Sequence, residues 1–280
     1  MAVSNTRRSF VKKGVMGVLA GSVMGSSQSI AAPIANKKDP FDLGFAGYTF
    51  VHFNLEESLE MISKLEVNYL CIKDFHLPLD STPDQIKAFH SRLAESNVKG
   101  YAVGPIYCRT RPDMDKAFEY AKKVGVDLIV GIPLHEDLQY LDQKVKEYDI
   151  RFAIHNHGPE DKLYPNATVT VGLIKDLDAR IGLCFDMGHN MRDGHDPIAD
   201  LKKYKDRIFD IHLKNVTAAA AEGKTCELGR GVIDIPAFVD MLRKVKYPGK
   251  VSLEYEKDMK TPLQGISESV GYYRGVTDAR

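Results

Sequence analysis

The chain has 280 residues, enough for one large domain or two small ones, and its 38 basic residues balance 38 acidic ones. The lack of a basic excess argues against nucleic acid as a partner. A hydrophobic content of 44% with 27% charged residues is ordinary for a globular protein and excludes a disordered one.

The first 32 residues have the three parts of an export signal. Arg7 and Arg8 lie in a basic run, a weakly apolar stretch follows, and the small residues Ala31 and Ala32 end it. The run around the two arginines resembles a bacterial twin-arginine signal, which predicts a periplasmic protein without a stable membrane anchor. Without this segment the chain has 34 basic and 38 acidic residues, a formal net charge of −4.

Eight short β-branched runs alternate with longer amphipathic segments from residue 42 to the end of the chain. Such alternation predicts a parallel sheet with helices outside, and eight units predict a (β/α)₈ TIM barrel over residues 40–280. An open doubly wound sheet is the alternative, but the glycine-rich phosphate turn that it needs after an early strand is missing. The predicted strands are 42–48, 68–73, 99–106, 127–132, 151–156, 181–186, 208–213 and 250–255.

Polar side chains end four consecutive predicted strands, the fifth to the eighth. They are His155, Asp186, His212 and Glu254, each about one β/α unit from the next. Any one of them alone is more often an ordinary polar residue, but barrel active sites lie at the C-terminal ends of strands, where all four would converge. Two imidazoles and two carboxylates suit one divalent transition metal, with Mn²⁺, Co²⁺, Fe²⁺, Ni²⁺ and Zn²⁺ all open. We therefore predict a metal site made by these residues.

Other polar residues near the strand ends are candidates for chemistry or for substrate binding. Lys73 follows the second predicted strand, and a lysine in the barrel mouth beside a cation could act as a base. A structural ion pair with Asp74 explains Lys73 equally well. The remaining candidates for the substrate pocket are His76, Tyr107, Lys214 and Arg230.

Four short motifs, in order, give the chain a resemblance to a known family. They are Asp186-Met187-Gly188-His189, His212-Leu213-Lys214, Gly229-Arg230-Gly231-Val232-Ile233-Asp234 and Ser252-Leu253-Glu254. The chain resembles the xylose isomerase-like sugar phosphate isomerase/epimerase superfamily of metal-dependent barrels. The resemblance implies that Asp186, His212 and Glu254 are metal ligands. It also implies that His157 and His189 contact the substrate.

The family carries a glutamate at the position of His155, and its isomerases use two metal-bound glutamates as opposed bases. A histidine bound to a metal has no free lone pair for a proton, so His155 is expected to act as a ligand only. A reaction that needs only one base is still possible. In it, Glu254 or Lys73 removes a proton from the carbon beside a ketone, and an oxygen on the β-carbon departs. The histidine-rich fifth strand is also locally similar to the inosose dehydratase branch.

These residues predict a divalent-metal-dependent enzyme that acts on a keto-sugar or keto-glycoside by abstracting a proton next to the carbonyl. β-Elimination, the reaction of a lyase or dehydratase, is favoured. Two alternatives stay open: a sugar isomerase or epimerase that transfers a proton, and a non-catalytic sugar-binding barrel. The expected partner is a small carbohydrate, and an oligomer is compatible with the sequence.

Overall fold

Eight parallel strands close into a barrel in the computed structural model, which describes residues 39–279. The predicted (β/α)₈ architecture is therefore confirmed, while the predicted signal at residues 1–32 lies outside the described residues. An antiparallel hairpin is inserted after the seventh barrel strand. The barrel strands are β1 Asp42–Ala46, β2 Tyr69–Ile72, β3 Lys99–Cys108, β4 Leu128–Pro133, β5 Arg151–His155, β6 Ile181–Asp186, β7 Ile208–Leu213 and β10 Lys250–Leu253. The hairpin strands are β8 Asn215–Val216 and β9 Thr225–Cys226.

Helices surround the barrel, and the first three begin with capping boxes. Asn54, Thr82 and Thr110 each accept a hydrogen bond from a backbone N–H three residues later, and that residue's side chain binds back. Between residues 39 and 279, no helix combines the length and apolarity that a membrane crossing requires. The helices are α1 Leu55–Lys64, α2 Pro83–Glu95, α3 Arg111–Val124, α4 Leu138–Tyr148, α5 Ala167–Ile174, α6 Met187–Arg192, α7 Pro197–Tyr204, α8 Ile235–Val245 and α9 Leu263–Asp278.

The interior of the barrel has small apolar side chains and one buried carboxylate. Cys71, Ala153 and Cys184 belong to the apolar cluster there, and the four cysteines of the chain are free and buried. Asp210 is fully buried, and its two oxygens accept hydrogen bonds from the Tyr101 hydroxyl at 3.0 and 2.9 Å. Burial raises the pKa of Asp210 to about 6. This layer lies one inward-facing residue below the polar residues that end β6 and β7.

Two elements at the C-terminal side of the barrel strands differ from the prediction. Helix α6 begins directly after β6, and the β8–β9 hairpin follows β7. Six helical residues and two-residue strands are too short to give a hydrophobic period, so the sequence pattern does not reveal them. Both elements lie beside the predicted site, and α6 fixes one of its side chains.

Candidate metal centre

The four polar strand-end residues, His155, Asp186, His212 and Glu254, lie together, and we call them the four-ligand group. Each offers one ligand atom, and these atoms all lie within 4.8 Å of one another. His155 Nε2 lies 2.9 Å from His212 Nδ1 and 3.7 Å from Asp186 Oδ2. His212 Nδ1 lies 3.1 Å from Glu254 Oε2 and 4.0 Å from Asp186 Oδ2. All four side chains are buried, so the group is compact enough to surround a single ion.

The spacing and the hydrogen bonding of these atoms both fit a divalent metal. Bonds from nitrogen or oxygen to such an ion are about 2.0–2.2 Å long, so two ligands of one ion lie at most about 4.4 Å apart. The four separations given above satisfy this limit. In the described part of the chain, one buried atom that faces the group, Asp186 Oδ2, lacks a hydrogen-bond partner, although the Lys214 ammonium lies 2.9 Å away as an ion pair. Such atoms are rare in native proteins and mark places for an ion or ordered water.

Burial and neighbouring charges shift the pKa values of the two histidines in opposite directions. Burial, followed by His157 and His212, lowers the pKa of His155 well below its ordinary value, so this imidazole is neutral. Burial also acts to lower the pKa of His212, but the adjacent Glu254 outweighs it and raises that pKa to about 9. For Glu254, burial acts to raise the pKa, yet His212 and Lys214 together hold it well below the usual range. His155 is therefore ready to bind a metal, whereas His212 must first release a proton.

The Lys214 ammonium is buried among three carboxylates. Its Nζ lies 2.9 Å from Asp186 Oδ2, 2.8 Å from Glu254 Oε2 and 2.7 Å from Glu256 Oε2. Burial acts to lower the pKa of Lys214, but the three carboxylates outweigh it and raise that pKa well above its ordinary value. Lys214 thus compensates the negative charge around the four-ligand group. The sequence predicts Lys214 as a substrate contact, but it does not line the cavity over the group.

Helix α6 fixes the orientation of Asp186. Asp186 is the N-cap residue of this helix, and its Oδ1 accepts a hydrogen bond from His189 N at 2.8 Å, which leaves Oδ2 to face the site. Asn156 binds the Asp186 backbone through two hydrogen bonds of 3.0 Å. A Cβ atom on Gly188 would lie 2.7 Å from Lys214 Cγ, so the first turn of α6 needs glycine for the lysine to pass.

A cavity of about 380 Å³ opens over the four-ligand group at the C-terminal ends of the strands. Six of its lining residues are predicted from the sequence, and Tyr48, Pro105 and Glu256 are not. Strand alternation could have revealed Glu256, because it follows Glu254 by two residues. The cavity is lined by Tyr48, Lys73, Pro105, Tyr107, His155, His157, His189, Glu254 and Glu256.

Lys73 combines the two interpretations that the sequence allows. Its Nζ lies 2.8 Å from Asp74 Oδ1 and donates a hydrogen bond to the Pro105 carbonyl at 2.9 Å. The same side chain is only 13% exposed and lines the cavity. The ion pair with Asp74 is therefore present, and the ammonium also reaches the space open to a ligand.

His157, Tyr107 and His189 bring further polar atoms to the cavity. The rings of His157 and Tyr107 are stacked with centroids 6.1 Å apart, and His157 Nδ1 lies 3.3 Å from Asp161 Oδ2. The His157 ring also meets the His155 ring edge-on, at 4.3 Å between centroids. Burial, followed by a nearby lysine ammonium, lowers the pKa of His189 to about 4, so this imidazole is neutral at pH 7.

Two predicted substrate contacts, His76 and Arg230, lie outside the cavity lining. His76 Nε2 lies 3.1 Å from both Ser58 Oγ and the Phe53 carbonyl oxygen, because the chain after β2 turns towards α1. Arg230 is exposed, and its guanidinium donates two hydrogen bonds to Glu268 on α9, at 2.6 and 2.7 Å. Both side chains are engaged elsewhere in the fold, so the geometry does not support their prediction as substrate contacts.

A second cavity, of about 560 Å³, lies at the other end of the barrel. Its lining includes Asp127, Arg151 and Lys250, which precede or begin strands. Among residues 39–279, the two groups of histidine, cysteine and acidic residues with metal-ligand spacing both contain His155 and His212, and the second of them is the four-ligand group. The smaller cavity is therefore the candidate active site.

The fold and the site together define the class of protein. Residues 46–276 match the family described as Xylose isomerase-like TIM barrel, and the chain belongs to that family. The resemblance seen in the strand-end motifs is thereby confirmed at the level of the family.

Individual relatives are more distant. The chain is 28% identical to the Rhizopine catabolism protein MocC of Rhizobium meliloti over 42% of this chain and 40% of that protein. It is 26% identical to an inosose dehydratase of Lacticaseibacillus casei over 43% of this chain and 45% of that protein. The chain thus spans less than half the length of these relatives. A crystal structure of the IolI protein with a binding zinc atom has a TM-score of 0.70 at 19% identity, over 85% of this chain and 99% of that one.

Proposed function

We propose that this protein is a divalent-metal-dependent enzyme that acts on a keto-sugar or keto-glycoside. The observation that carries the proposal is the buried group of two imidazoles and two carboxylates that meets the cavity. The similarity to an inosose dehydratase and the zinc of the IolI structure support the same interpretation.

A divalent ion in the four-ligand group would act as a Lewis acid on a substrate carbonyl and acidify the adjacent C–H. The chain's own residues supply binding and proton transfer. His157 and His189 present ring nitrogens to the cavity and orient substrate hydroxyls. Tyr107, stacked on His157, limits the space on that side of the cavity.

Three cavity side chains are candidates to move protons. Glu254 is a weak proton acceptor, because His212 and Lys214 hold its pKa low. Glu256 lines the cavity outside the four-ligand group and offers a carboxylate that is less buried. Lys73, which lines the cavity, is the third candidate, to accept a proton or to deliver one to a departing β-oxygen.

The ligand set favours elimination over a symmetric proton shuttle. His155 supplies an imidazole where the family has a glutamate, so β5 offers no carboxylate to return a proton to carbon. An isomerase or epimerase is the second candidate, because Glu254 and Glu256 are two carboxylates at one cavity. A non-catalytic sugar-binding barrel is the third candidate. It is less favoured, because binding alone gives Glu256 and Lys73 no proton to transfer.

Elemental analysis of the purified protein tests the metal directly. We expect about one divalent transition metal per chain, and we expect Asp186→Asn to lose it while the amide oxygen keeps the α6 cap. Asp200→Asn is the matched control, because Asp200 is also buried and lies outside the four-ligand group. An active protein that contains no metal would overturn the proposal.

The reaction is tested with 3-keto-glycosides in D₂O. Ultraviolet absorbance of an enone supports elimination, whereas deuterium in the substrate without an enone supports the isomerase or epimerase. Sugar binding without either change supports the binding barrel. Lys73→Met should lower turnover, and Lys64→Met should not, because Lys64 forms only an exposed ion pair on α1.

We also propose that the twin-arginine segment exports the protein to the periplasm. The support is the order of basic, apolar and small residues before residue 33. Fractionation of cells that express the full chain should find the protein in the periplasm. Replacement of Arg7 and Arg8 together by lysine should retain it in the cytoplasm, and unchanged export would refute the assignment.

A further inference from the structure

One guanidinium at the end of α6 contacts His189 of the same helix and two loops at the C-terminal end of the barrel, 156–166 after β5 and 217–224 in the hairpin after β7, which we call the mouth loops. Arg192 Nη2 donates a hydrogen bond to Glu160 in the loop between β5 and α5. Its Nε donates to the Ala221 carbonyl in the β8–β9 hairpin loop at 3.2 Å, and Nη2 binds the same oxygen. Its Nη1 lies 3.2 Å from His189 Nδ1. We call these four residues the arginine clasp.

The clasp is built into the fold at close quarters. The Arg192 side chain is only 16% exposed, although its partner Glu160 is 60% exposed. Gly158 has a φ of 89° and lies beneath it, where an added Cβ would come within 3.2 Å of His189 Nδ1 and 3.5 Å of Arg192 Nη1. The backbone of the β5–α5 loop thus passes beside both His189 and the guanidinium, in a left-handed conformation that favours glycine.

We propose that Arg192 is a positioning residue that ties the two mouth loops to α6 and sets the hydrogen-bonding state of His189. The kinetic part of this inference rests on the proposed function. Asp186, the N-cap of this helix, is followed at spacings of three residues by His189 and Arg192, so one short element carries a member of the four-ligand group, a residue of the cavity lining and the centre of the clasp. Movement of either loop is thereby coupled to a cavity side chain.

The clasp determines which nitrogen of His189 carries hydrogen. A guanidinium has donors only, so His189 Nδ1 must be the acceptor, and the hydrogen of the neutral ring lies on Nε2. Lys214 Nζ, also a donor, lies 3.4 Å from Nε2, but it makes shorter hydrogen bonds to Glu254 and Glu256, at 2.8 and 2.7 Å, and Arg192 is the nearer donor to His189. His189, which lines the cavity, therefore offers a ring N–H as a donor and does not act as a base.

Amide hydrogen exchange of the full chain tests the tie between the loops. In Arg192→Met we expect exchange to become roughly tenfold faster, or more, in both loops, 156–166 and 217–224, because charged hydrogen bonds are lost. Glu160→Gln, a milder change at an exposed residue, should accelerate only loop 156–166. Arg180→Met is the matched control, because Arg180 also binds two acidic residues but precedes β6 at the other end of the barrel.

Nitrogen-15 NMR of the metal-free protein tests His189 independently of turnover. The wild type should show hydrogen on Nε2 alone, and Arg192→Met should show a mixture of the two neutral forms. Unchanged exchange in both loops of a folded Arg192→Met, or hydrogen on Nδ1 in the wild type, would overturn the inference.

Kinetics then separate the clasp from the proposed function. With an active substrate, Arg192→Met should raise KM more than it lowers kcat, and metal content should stay the same. A fall in kcat of Arg192→Met with unchanged KM would contradict a positioning role. Absence of turnover in the wild type would refute the proposed function, while the exchange and NMR results would still decide the clasp.

Discussion

Replacement of Lys214 by Met is the sharpest perturbation of the charge balance at the site. The ammonium lies within 2.9 Å of three carboxylate oxygens and is 1% exposed. Methionine keeps most of the side-chain volume and removes the charge. Three carboxylates then remain in the metal-free protein with His212 as their nearby cation.

The structure gives the expected size of the effect. Removal of one partner from a buried ion pair costs about 3–5 kcal/mol, because the charge left behind is uncompensated. For a domain of this size, that loss of unfolding free energy corresponds to a fall in Tm of roughly 6–20 °C. A divalent ion held by the four-ligand group would add positive charge beside Asp186 and Glu254, so in its presence the deficit should shrink by at least about 1 kcal/mol, or about 2–4 °C.

Thermal unfolding of four samples measures this coupling: wild type and Lys214→Met, each with a chelator and with excess Zn²⁺. Zn²⁺ should raise the Tm of the variant more than that of the wild type, and titration calorimetry should show tighter binding to the variant. Lys144→Met is the matched control, because Lys144 is also nearly buried, pairs with Asp115 and Glu147, and lies on α4 away from the site. This variant should lose stability equally with and without the ion.

An equal gain in Tm from Zn²⁺ in wild type and Lys214→Met would refute this reasoning. It would mean that the ammonium and the ion do not share the Asp186 and Glu254 oxygens. An extra gain in Lys144→Met would likewise show that the ion stabilises any weakened variant of the barrel.

Two further substitutions test contacts near the site. Glu227→Gln should lower the free energy of unfolding by about 1.5–3 kcal/mol at pH 7, because the carboxylate binds Lys257. Burial acts to raise the pKa of Glu227, but Lys257 and further hydrogen bonds lower it to about 2. The contribution of the Glu227 carboxylate to stability is thus complete above its ordinary pKa near 4.5 and is lost as the pH falls towards 2. The urea midpoints of the variant and the wild type should therefore converge as the pH approaches 2. A gap between the midpoints that stays constant with pH would disprove the assignment. Gly188→Ala should destabilise the fold by about 1–3 kcal/mol through its clash with Lys214, whereas Gly172→Ala, with open space around it, should stabilise it by about 0.5–1 kcal/mol in the same unfolding assay. Equal effects of the two alanines would show that the contact at Gly188 is unimportant.

Much of the fold and the centre of the site could be predicted because both depend on short-range pattern. An apolar run that ends in one polar residue identifies a strand and its C-terminal end at once, as with β6 and Asp186. Barrel closure then brings four such ends together without any knowledge of loop structure. His155 Nε2 and Asp186 Oδ2, at the ends of the neighbouring strands β5 and β6, lie 3.7 Å apart for this reason.

Residues beyond the strand ends could not be placed in this way. Arg192 meets Glu160 and Ala221 across about 30 residues of chain, and the contact depends on two irregular loops. Lys214 is of a residue type that often binds substrate, but Gly188 of α6 leaves room for its side chain to reach the carboxylates of Asp186, Glu254 and Glu256. Arg230 lies in a family-like motif, yet α9 provides Glu268 as a partner. Such choices depend on the three-dimensional neighbours and not on the local period.

Because each member of the four-ligand group lies at the end of a different strand, the proposed set of metal ligands is modular. Backbone hydrogen bonds between β5, β6, β7 and β10 hold the four Cα positions, whatever side chains they carry. One substitution can therefore exchange one donor while the other three keep their places. The resemblance to the family, in which this position carries a glutamate, implies that His155 is such an exchange, made on β5 alone. The barrel wall thus allows evolution, or an engineer, to change the chemistry of the proposed metal site one strand at a time.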